Sequence, residues 1–516
     1  MENATKWSKI IAEKDARIAE LELLVKYYEE QVRLSRCRYF GPSSEKGKVE
    51  GQICFFNEAE NIAAPDLPEP TLEQITYARR KKKGKRDIDL SYLPVEIEEY
   101  RLSEEERICP ECGGALHEMG HDVSRDIKII PAQVKVLEHR RSVYSCRFCE
   151  KNGDHATIIK APMPEPVIKG SLASPSAVAH IMTQKYVMYA PLYRQEQDWR
   201  RNGVALSRQT MANWVIRCAE DWLVPLYDRM REKLLSQQVL HCDESMVQVL
   251  HEPGRSATSN SYMWLYRTSG DTKKHIVLFE YQPTRSSEHP KRFLSDFKGF
   301  LHADGYAGYH KLPDEITVVG CWVHLRRKFE DALKATPVSE RPTSLANEAL
   351  RRIGWLFHLE DQWCSLDADE RHKRRLEISK PLAESFYKWL GTLGVLPKMA
   401  MGKAVNYAFE QRRWLMNVYL DGRTELSNNR VENSVRPFAV GRRNWLFCNS
   451  VKGATASAVV YSLIESAKAN GLKPFDYLKF LFESVPNTTT GELDSLLPWG
   501  ESIPEYCRMT EVKESA

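Results

Sequence analysis

Apolar residues recur every seven positions near the start of the chain, in two interleaved series. The residues in this pattern are Ile11, Ile18, Leu21, Val25, Tyr28 and Val32. About three heptads of this kind are typical of a short coiled coil, so residues 1–40 are predicted to form an oligomerisation helix. The alternative is a single amphipathic helix that packs on its own protein.

The periodicity further along changes from helical to extended. Residues 174–222 have the spacing of helices, with a break at Asn202-Gly203. Between 239 and 323 the pattern predicts a sheet, and a helical stretch, Ser286–Phe297, separates its third strand from its fourth. The predicted strands are Val239–Leu250, Ser261–Thr268, His275–Tyr281, Gly299–Ala303 and Ile316–Val323.

The last third of the chain is mainly helical by the same criteria. Residues 324–420 are predicted to be helices, and another helix should begin after Ser427-Asn428-Asn429, capped by Asn428 or Ser427. The final residues, roughly 30 of them, have the composition of a loose tail. A chain of 516 residues with this mixture of elements predicts a multidomain α/β fold.

Composition excludes several classes of protein. Hydrophobic residues make up 42% of the chain, which excludes a wholly disordered protein. The sequence has neither an apolar run of about 18 residues nor a signal segment, so we expect a cytoplasmic protein with no membrane partner. The net charge is only +4, but residues 79–86 carry seven positive charges, which suits either a polyanion or a solvated linker.

Four of the 12 cysteines form two Cys-x-x-Cys pairs, Cys109 with Cys112 and Cys146 with Cys149. Two such pairs provide the four thiolates of a closed tetrahedral zinc site, which is structural because it leaves no position for a substrate. The alternative is a redox pair, but a redox pair needs no second pair. A zinc-dependent hydrolase is excluded as well, because four thiolates leave no coordination position for a substrate.

A helix-turn-helix is predicted between Pro191 and Val215. Ser207 is a suitable N-cap for the second helix, and Arg208, Gln209 and Asn213 would lie on its exposed face. Guanidinium and amide groups in that position can contact base edges in DNA. The alternative is a helix pair with a purely structural role.

Acidic residues at strand ends suggest a two-metal site. Asp243 lies in the first predicted strand and Asp304 ends the fourth, so neighbouring strands would bring the two carboxylates together at the sheet edge. A third carboxylate from a distant helix would complete the ribonuclease-H-like arrangement, in which two Mg²⁺ ions support phosphoryl transfer. Glu432 is the candidate third carboxylate, and Glu425 and Glu244 compete with it.

Basic residues surround Glu432. They are Arg430, Arg436, Arg442 and Arg443. Either these arginines contact DNA beside a catalytic glutamate, or Glu432 is an ordinary salt-bridged residue on the surface. Spacing alone favours the second interpretation.

Taken together, these stretches resemble the large transposase of the insertion-sequence 66 family, a group of bacterial DDE transposases. The resemblance extends over nearly the full length and depends on residues 38–46, both cysteine pairs, residues 241–255, 261–267, 304–309, 320–329, 428–432 and 461–471. It implies that Asp243, Asp304 and Glu432 are the catalytic acids. Cys321-x-x-His324 matches a short motif in several transposase families, which we interpret as a packing or DNA-proximal element because two ligands make no metal site.

The resemblance implies a transposase that cleaves DNA at the ends of its element and joins the freed 3′-hydroxyl to target DNA. It implies two Mg²⁺ or Mn²⁺ ions at Asp243, Asp304 and Glu432 and one structural Zn²⁺. The expected partners are terminal inverted repeats, target DNA, a second copy of the chain and small accessory proteins, in a bacterial, nucleoid-associated setting. The alternative is a catalytically silent zinc-containing DNA-binding protein, either a regulator or a domesticated relative.

The expected organisation has six parts. They are a coiled coil over 1–40, a flexible linker with the basic run over 41–100, a zinc-binding domain over 101–160, a helix-turn-helix over 170–225, a ribonuclease-H-like catalytic domain over 236–470 with a helical insertion at about 330–420, and a C-terminal segment over 471–516.

Overall fold

The computed structural model describes residues 2–40, 97, 133–145 and 158–510. The chain divides into two compact units, one made of residues 1–44 and 138–509 and the other of residues 45–137 and 510–516. Most of the second unit, including the predicted basic linker, lies outside the described residues. So do the four cysteines of the predicted zinc site, at 109, 112, 146 and 149.

The N-terminal helix, α1, spans Glu2–Phe40 and keeps its heptad face in solvent. Each of the six heptad residues is between 44% and 59% exposed. The helix contacts the rest of its unit through residues outside the heptad series. Arg33 donates to the carbonyl of Ala335 at 2.7 Å, Glu30 accepts from the amide of Ala400 at 3.1 Å, and Leu34 packs against the apolar cluster that contains both alanines. The heptad face is therefore not the surface that packs α1 on its own chain.

Four helices precede the main sheet, after a small antiparallel pair of strands, β1 (Val143–Ser145) and β2 (Ile158–Lys160). The helices are α2 (Pro175–Tyr186), α3 (Leu192–Arg201), α4 (Arg208–Cys218) and α5 (Val224–Leu235). The predicted break between α3 and α4 is confirmed, with Gly203 at a φ of +81° in the turn. Ser207 caps α4 as predicted, because its hydroxyl accepts from the amide of Thr210 at 3.1 Å.

A mixed sheet of six strands forms the centre of the first unit. Its strands are β3 (Val239–His251), β4 (Asn260–Thr268), β5 (Val277–Gln282), β6 (Gly299–Ala303), β7 (Ile316–Gly320) and β8 (Cys448–Ser450). The order is β5-β4-β3-β6-β7, with β8 paired to the far end of β3. Strands β3, β4 and β5 form an antiparallel meander, whereas β6, β7 and β8 run parallel to their neighbours. All five predicted strands are present.

The helical elements beyond the meander agree with the prediction except at one boundary. Helix α6 (Glu288–Phe293) lies between β5 and β6, as the sequence pattern indicates. The fifth predicted strand was extended too far, because β7 ends at Gly320 and a helix begins at Trp322. Residues 322–416 contain α7 (Trp322–Ala335), α8 (Leu345–Gln362), α9 (Ala368–Arg374), α10 (Lys380–Gly391) and α11 (Ala400–Met416).

This helical insertion has a hydrophobic core of its own, which includes Trp322, Phe329 and Phe386. Arg375, which is 1% exposed, ties the insertion to the segment that follows it. The guanidinium pairs with Glu360 and donates to the carbonyls of Asp421 and Thr424 at 3.0 and 2.8 Å. The insertion thus fixes the segment that leads into the next helix, α12 (Asn429–Trp445).

Side chains from helices occupy both edges of the sheet. On the β5 edge, Ser466 and Ser462 of α13 (Val451–Ala469) accept from the amides of Val277 and Phe279 at 2.9 and 2.8 Å. On the β7 edge, Asn417 donates to the carbonyl of Val318 at 2.8 Å. Backbone groups that would otherwise be unpaired are therefore satisfied within the molecule.

The loose tail predicted for the last residues is wrong for the part that the structure describes. Helix α14 (Pro474–Ser484) packs on α2, and the residues after it are buried as well. The buried apolar residues beyond residue 486 are Leu493, Leu496, Leu497, Ile503 and Cys507. They belong to the same core cluster as residues of α2, α4 and the sheet, so the helices of residues 175–218 and the sheet share one core.

Candidate active site

Asp243 is the fifth residue of β3 and Asp304 follows the last residue of β6, so the two lie at the same level of neighbouring strands. The two strands pair in parallel with His241 opposite His302, and the same register places Asp243 opposite Asp304. The amide of Glu244 donates to Asp243 Oδ1 at 2.8 Å, and the amide of Tyr306 donates to Asp304 Oδ1 at 2.9 Å. The two carboxylates are close enough for Asp304 to raise the pKa of Asp243, but they lie on interior strands of the sheet and not at the edge that the sequence predicts.

Glu432 reaches the same place from the first turn of α12. Burial raises the pKa of Asp243 well above its usual range, and the neighbouring charges of Glu244, Asp304 and Glu432 raise it further. The four acids that repel one another here, Asp243, Glu244, Asp304 and Glu432, are called the acid pocket below. Carboxylates held together at this cost are typical of a cation site.

Asn428 positions the start of α12, but not as the sequence predicted. It stands at the N-cap, yet its side chain makes no capping bond. The Oδ1 atom lies 2.9 Å from His241 Nδ1, and Nδ2 donates to the carbonyl of Cys242 at 2.9 Å. Because its backbone amide also donates to Cys321 Sγ at 3.2 Å, Asn428 joins α12 to β3 and to the start of α7.

The Cys321-x-x-His324 motif lies against Glu432. Arg327 donates to Glu432 Oε2 at 2.8 Å, and His324 Nε2 is 3.9 Å from Glu432 Oε1. The ligand atoms of Cys321, His324 and Glu432 all lie within 4.8 Å of one another. The interpretation that this motif has only two potential ligands is wrong, because the fold supplies Glu432 as a third.

Glu244 is a deeply buried member of the acid pocket, with 3% of its side chain exposed. Arg285 Nε donates to its Oε1 at 2.6 Å, and Tyr309 donates to Oε2. Burial raises the pKa of Glu244, although the bonds from Tyr309 and Arg285 oppose the increase. Arg285 also lies 3.9 Å from Asp304 Oδ2, so it bridges two of the acids at the rim.

The other competing carboxylate, Glu425, belongs to a different cluster. His241 and His302 stack with ring centroids 4.4 Å apart, and His302 Nε2 accepts from the amide of Glu425 at 3.0 Å. Glu425 Oε1 accepts from Arg430 at 2.5 Å and from the amide of Gly270 at 3.3 Å. His241, His302, Glu425 and Asn428 are called the histidine network below.

Electrostatics separate this network from the acid pocket. Burial lowers the pKa of both His241 and His302. Burial would raise the pKa of Glu425, but its neighbours, chiefly His241 and Arg430, lower it overall. Glu425 is therefore a stably charged carboxylate with its partners already in place.

The arginines around Glu432 differ in their exposure and in the contacts that they make. Arg430 is exposed and pairs with Glu425, and Arg442 donates to Ser245 Oγ at 3.4 Å and to the carbonyl of Met246. Arg436 is half-buried, and Arg443 is exposed near the end of α12. The candidate DNA-contacting arginines therefore all lie on α12, and Glu432 lies in the first turn of the same helix.

The candidate DNA-reading residues of α4 lie where the pattern predicts. Arg208, Gln209 and Asn213 are all exposed, whereas Met211, Trp214 and Val215 on the same helix are buried. The Arg208 guanidinium lies 5.7 Å from the ring centroid of Tyr193, which orients it along the surface.

Comparison with known families decides which group of proteins the chain is related to. The model described as the transposase IS66 family matches residues 170–456, more than half of the chain. The chain belongs to the IS66 transposase family. Further family models match the IS66 C-terminal element over 462–499 and the transposase C of IS166 homeodomain over 27–97. The zinc-finger binding domain of transposase IS66 matches residues 106–150, which contain all four cysteines of the predicted zinc site.

Curated relatives of this IS66 family member come from Sinorhizobium fredii. The uncharacterized protein y4jD is 32% identical over 449 residues, which cover 83% of this chain and 85% of that protein. The uncharacterized protein y4qI is 31% identical over 397 residues, covering 74% of this chain and 71% of that protein. None of the helices among the described residues has the length and apolar character needed to cross a bilayer.

Proposed function

We propose that this IS66 family member is a DNA transposase that cleaves DNA at the ends of its insertion sequence and transfers the freed 3′-hydroxyl to target DNA. The observation that carries the proposal is the convergence of Asp243, Asp304 and Glu432 from two strands and a distant helix. Their mutual repulsion gives the pocket a reason to bind cations. No such need exists at Glu425, whose partners are its own protein groups.

The order of the strands supports a ribonuclease-H-like core. An antiparallel meander of three strands is followed by two parallel strands on the far side of the first, and an acidic residue lies on the first strand and after the fourth. The helical insertion between β7 and α12 accounts for the long interval before Glu432. This arrangement is the one expected for a DDE catalytic domain.

The donor set suits Mg²⁺ or Mn²⁺. The acid pocket offers carboxylate oxygens, which are the ligands that hard divalent cations prefer. When bound, two such cations would activate the attacking oxygen and stabilise the leaving one. The chain's own contribution is to hold the carboxylates together, which Asn428 and the insertion do by fixing the start of α12.

Two arginines at the rim have a second role in this proposal. Arg285 pairs with Glu244 and Arg327 pairs with Glu432, and about half of the Arg327 side chain is exposed. We infer that cations displace these guanidinium groups from the carboxylates and free them to bind phosphates of the DNA strand. Arg430, Arg436, Arg442 and Arg443 would extend the contact along the backbone of the duplex.

Other parts of the chain would recognise and pair the DNA ends. We propose that Arg208, Gln209 and Asn213 read base edges in the terminal repeats and that the zinc-binding domain and basic linker bind phosphates. The exposed heptad face of α1 would pair two copies as a coiled coil, which bringing two DNA ends together requires. Accessory proteins of the element would join this assembly on the nucleoid.

The test is an assay of cleavage and strand transfer on DNA that carries the inverted repeats flanking the gene. Wild type is compared with Asp304→Asn and Glu432→Gln in Mg²⁺ and in Mn²⁺, with DNA binding measured in parallel. We expect joining to fall by at least about 10³-fold in both variants while binding is kept. The competing acid provides the matched comparison, since Glu425→Gln should retain metal-dependent joining.

Two outcomes would contradict the proposal in different ways. If joining is lost in Glu425→Gln and kept in Glu432→Gln, the third catalytic acid is Glu425 and not Glu432. Binding without cleavage by the wild type, after the element's accessory proteins have been added, would favour the catalytically silent DNA-binding protein instead.

A further inference from the structure

One contact at the acid pocket is too long to be a hydrogen bond and joins two members of a group of potential metal ligands. His324 Nε2 and Glu432 Oε1 are 3.9 Å apart, beyond hydrogen-bond range. Glu432 Oε1 and His324 Nδ1 are both buried atoms, and neither bonds to any residue that the structure describes. The ring atom that faces Glu432 is the other nitrogen, Nε2, whose neighbour is Arg327 Nη1 at 3.5 Å, so the one facing oxygen without a partner is Glu432 Oε1.

The surrounding groups do not fill this gap. Arg327 binds the other carboxylate oxygen, Oε2, so it leaves Oε1 without a partner. Cys321 Sγ lies within 4.8 Å of both ligand atoms, but it accepts the amide of Asn428 and therefore forms a wall of the site. The half-exposed Arg327 side chain, 3.5 Å from His324 Nε2, can move into solvent.

We propose that His324 is a nitrogen ligand of a divalent cation bound at Glu432 and that it biases the acid pocket towards Mn²⁺ over Mg²⁺. Two ligands about 2.1 Å from one cation are about 3 Å apart at a right angle and about 4 Å apart on opposite sides. The observed separation falls within this range. Imidazole suits transition metals such as Mn²⁺ better than Mg²⁺, which prefers oxygen.

This inference rests on the proposed function, because it assigns a further ligand to the same pocket. Sequence spacing could not suggest it, since Glu432 follows His324 by more than a hundred residues. In the folded chain the two residues are neighbours, because the start of α12 contacts the first turn of α7.

The test is pulsed electron paramagnetic resonance of Mn²⁺ bound to the full-length protein, together with Mn²⁺ and Mg²⁺ titrations. Wild type should show echo modulation from a nitrogen ligand, and His324→Ala should lose it together with about tenfold in Mn²⁺ affinity. Mg²⁺ affinity should change by less than about twofold. His324→Asp should regain Mn²⁺ affinity without the nitrogen signal and with a smaller preference for Mn²⁺.

The controls separate this inference from the proposed function. His358→Ala alters an exposed histidine of α8 and should behave as wild type. If His324→Ala keeps both the nitrogen modulation and the Mn²⁺ affinity while Asp243→Asn loses affinity, the inference is wrong and the acid pocket stands. If Asp243→Asn also binds Mn²⁺ as wild type does, the proposed pocket itself is wrong.

Discussion

The acid pocket and the histidine network occupy neighbouring positions on the same two strands, and each contains buried atoms without a hydrogen-bond partner among the described residues, but their glutamates, Glu432 and Glu425, differ in how their oxygens are satisfied. In the network, Glu425 bonds to a guanidinium and an amide, and Asn428 uses both ends of its side chain. In the pocket, Asp243 faces three other acids, and Glu432 keeps one buried oxygen without a partner among the described residues.

This difference distinguishes a structural carboxylate from one that awaits a ligand. Glu425 and Glu432 are seven residues apart, both lie among arginines and both are mostly buried. What separates the two glutamates within the described part of the chain is that Glu425 has no buried oxygen without a partner, whereas Glu432 has one, Oε1, that a cation could bind. The following substitutions should have opposite effects in the two regions.

The largest effect is expected from Asn428→Ala in the histidine network. The substitution leaves His241 Nδ1 and the carbonyl of Cys242 buried without partners, which should lower the free energy of unfolding by about 3 kcal/mol. Urea unfolding of the full chain measures the change. Asn444→Ala, on the exposed side of the same helix, should cost less than about 0.5 kcal/mol, and an equal loss in both variants would contradict the assignment.

A second effect shows whether a raised pKa alone marks a catalytic site. Burial raises the pKa of Glu280, on the β5 edge of the sheet, to about 7, although Gln282, Arg292 and Arg231 oppose the increase. The folded state therefore holds a proton that the unfolded state has lost between about pH 4.5 and 7, so this contribution to stability disappears as pH rises through that window.

Glu280→Gln should accordingly raise the free energy of unfolding by about 2 kcal/mol at pH 8 and by almost nothing at pH 4. Unfolding measured across this range, with DNA joining assayed at pH 8, tests both parts. Because Glu280 lies outside the acid pocket, joining should be unchanged. A pH-independent gain in stability would mean that the carboxyl group is charged throughout.

The smallest pair of effects should have opposite signs. Without added divalent cation, Asp243→Asn should raise the free energy of unfolding by about 1 kcal/mol because it relieves repulsion in the acid pocket. Glu425→Gln should lower it by about 1 kcal/mol because it weakens the bond from Arg430. Thermal unfolding of both variants beside wild type would decide, and changes of the same sign would remove the distinction between the two regions.

Added Mn²⁺ should reverse the result for Asp243→Asn, so that the variant becomes less stable than wild type. If cations bind the folded acid pocket and not the unfolded chain, as proposed above, saturating Mn²⁺ should stabilise wild type by about 3 kcal/mol at a hundred times the dissociation constant. Asp243→Asn should gain far less. Equal stabilisation of both proteins would place the cation elsewhere.

Local pattern predicted the strands and most of the helices well. The five strands of the sheet, the break at Gly203 and the cap at Ser207 follow from alternation, turn residues and capping chemistry, which act over a few positions. The packed segment around Leu496 was missed because its apolar residues are sparse and lie in irregular turns. The end of β7 was misplaced because Trp322 and Val323 suit a strand as well as a helix.

The composition of the candidate site was only partly predictable. Asp243 and Asp304 could be paired from strand order, but the partners of Glu432 depend on contacts across more than a hundred residues. Asn428 was expected to cap a helix because the motif has a capping residue at its start. In the structure the side chain of Asn428 bonds to β3 instead, because the carbonyl of Cys242 and the ring of His241 are the partners of its amide group.

The serine and asparagine side chains that occupy the two edges of the sheet have a consequence for crowding. If copies of the chain gather on DNA as proposed above, an open strand edge would invite pairing with the sheet of a neighbour. Ser462, Ser466 and Asn417 already use the backbone groups to which such a neighbour would bond. Copies that meet on DNA can therefore associate through helices without their sheets fusing into a continuous, aggregating array.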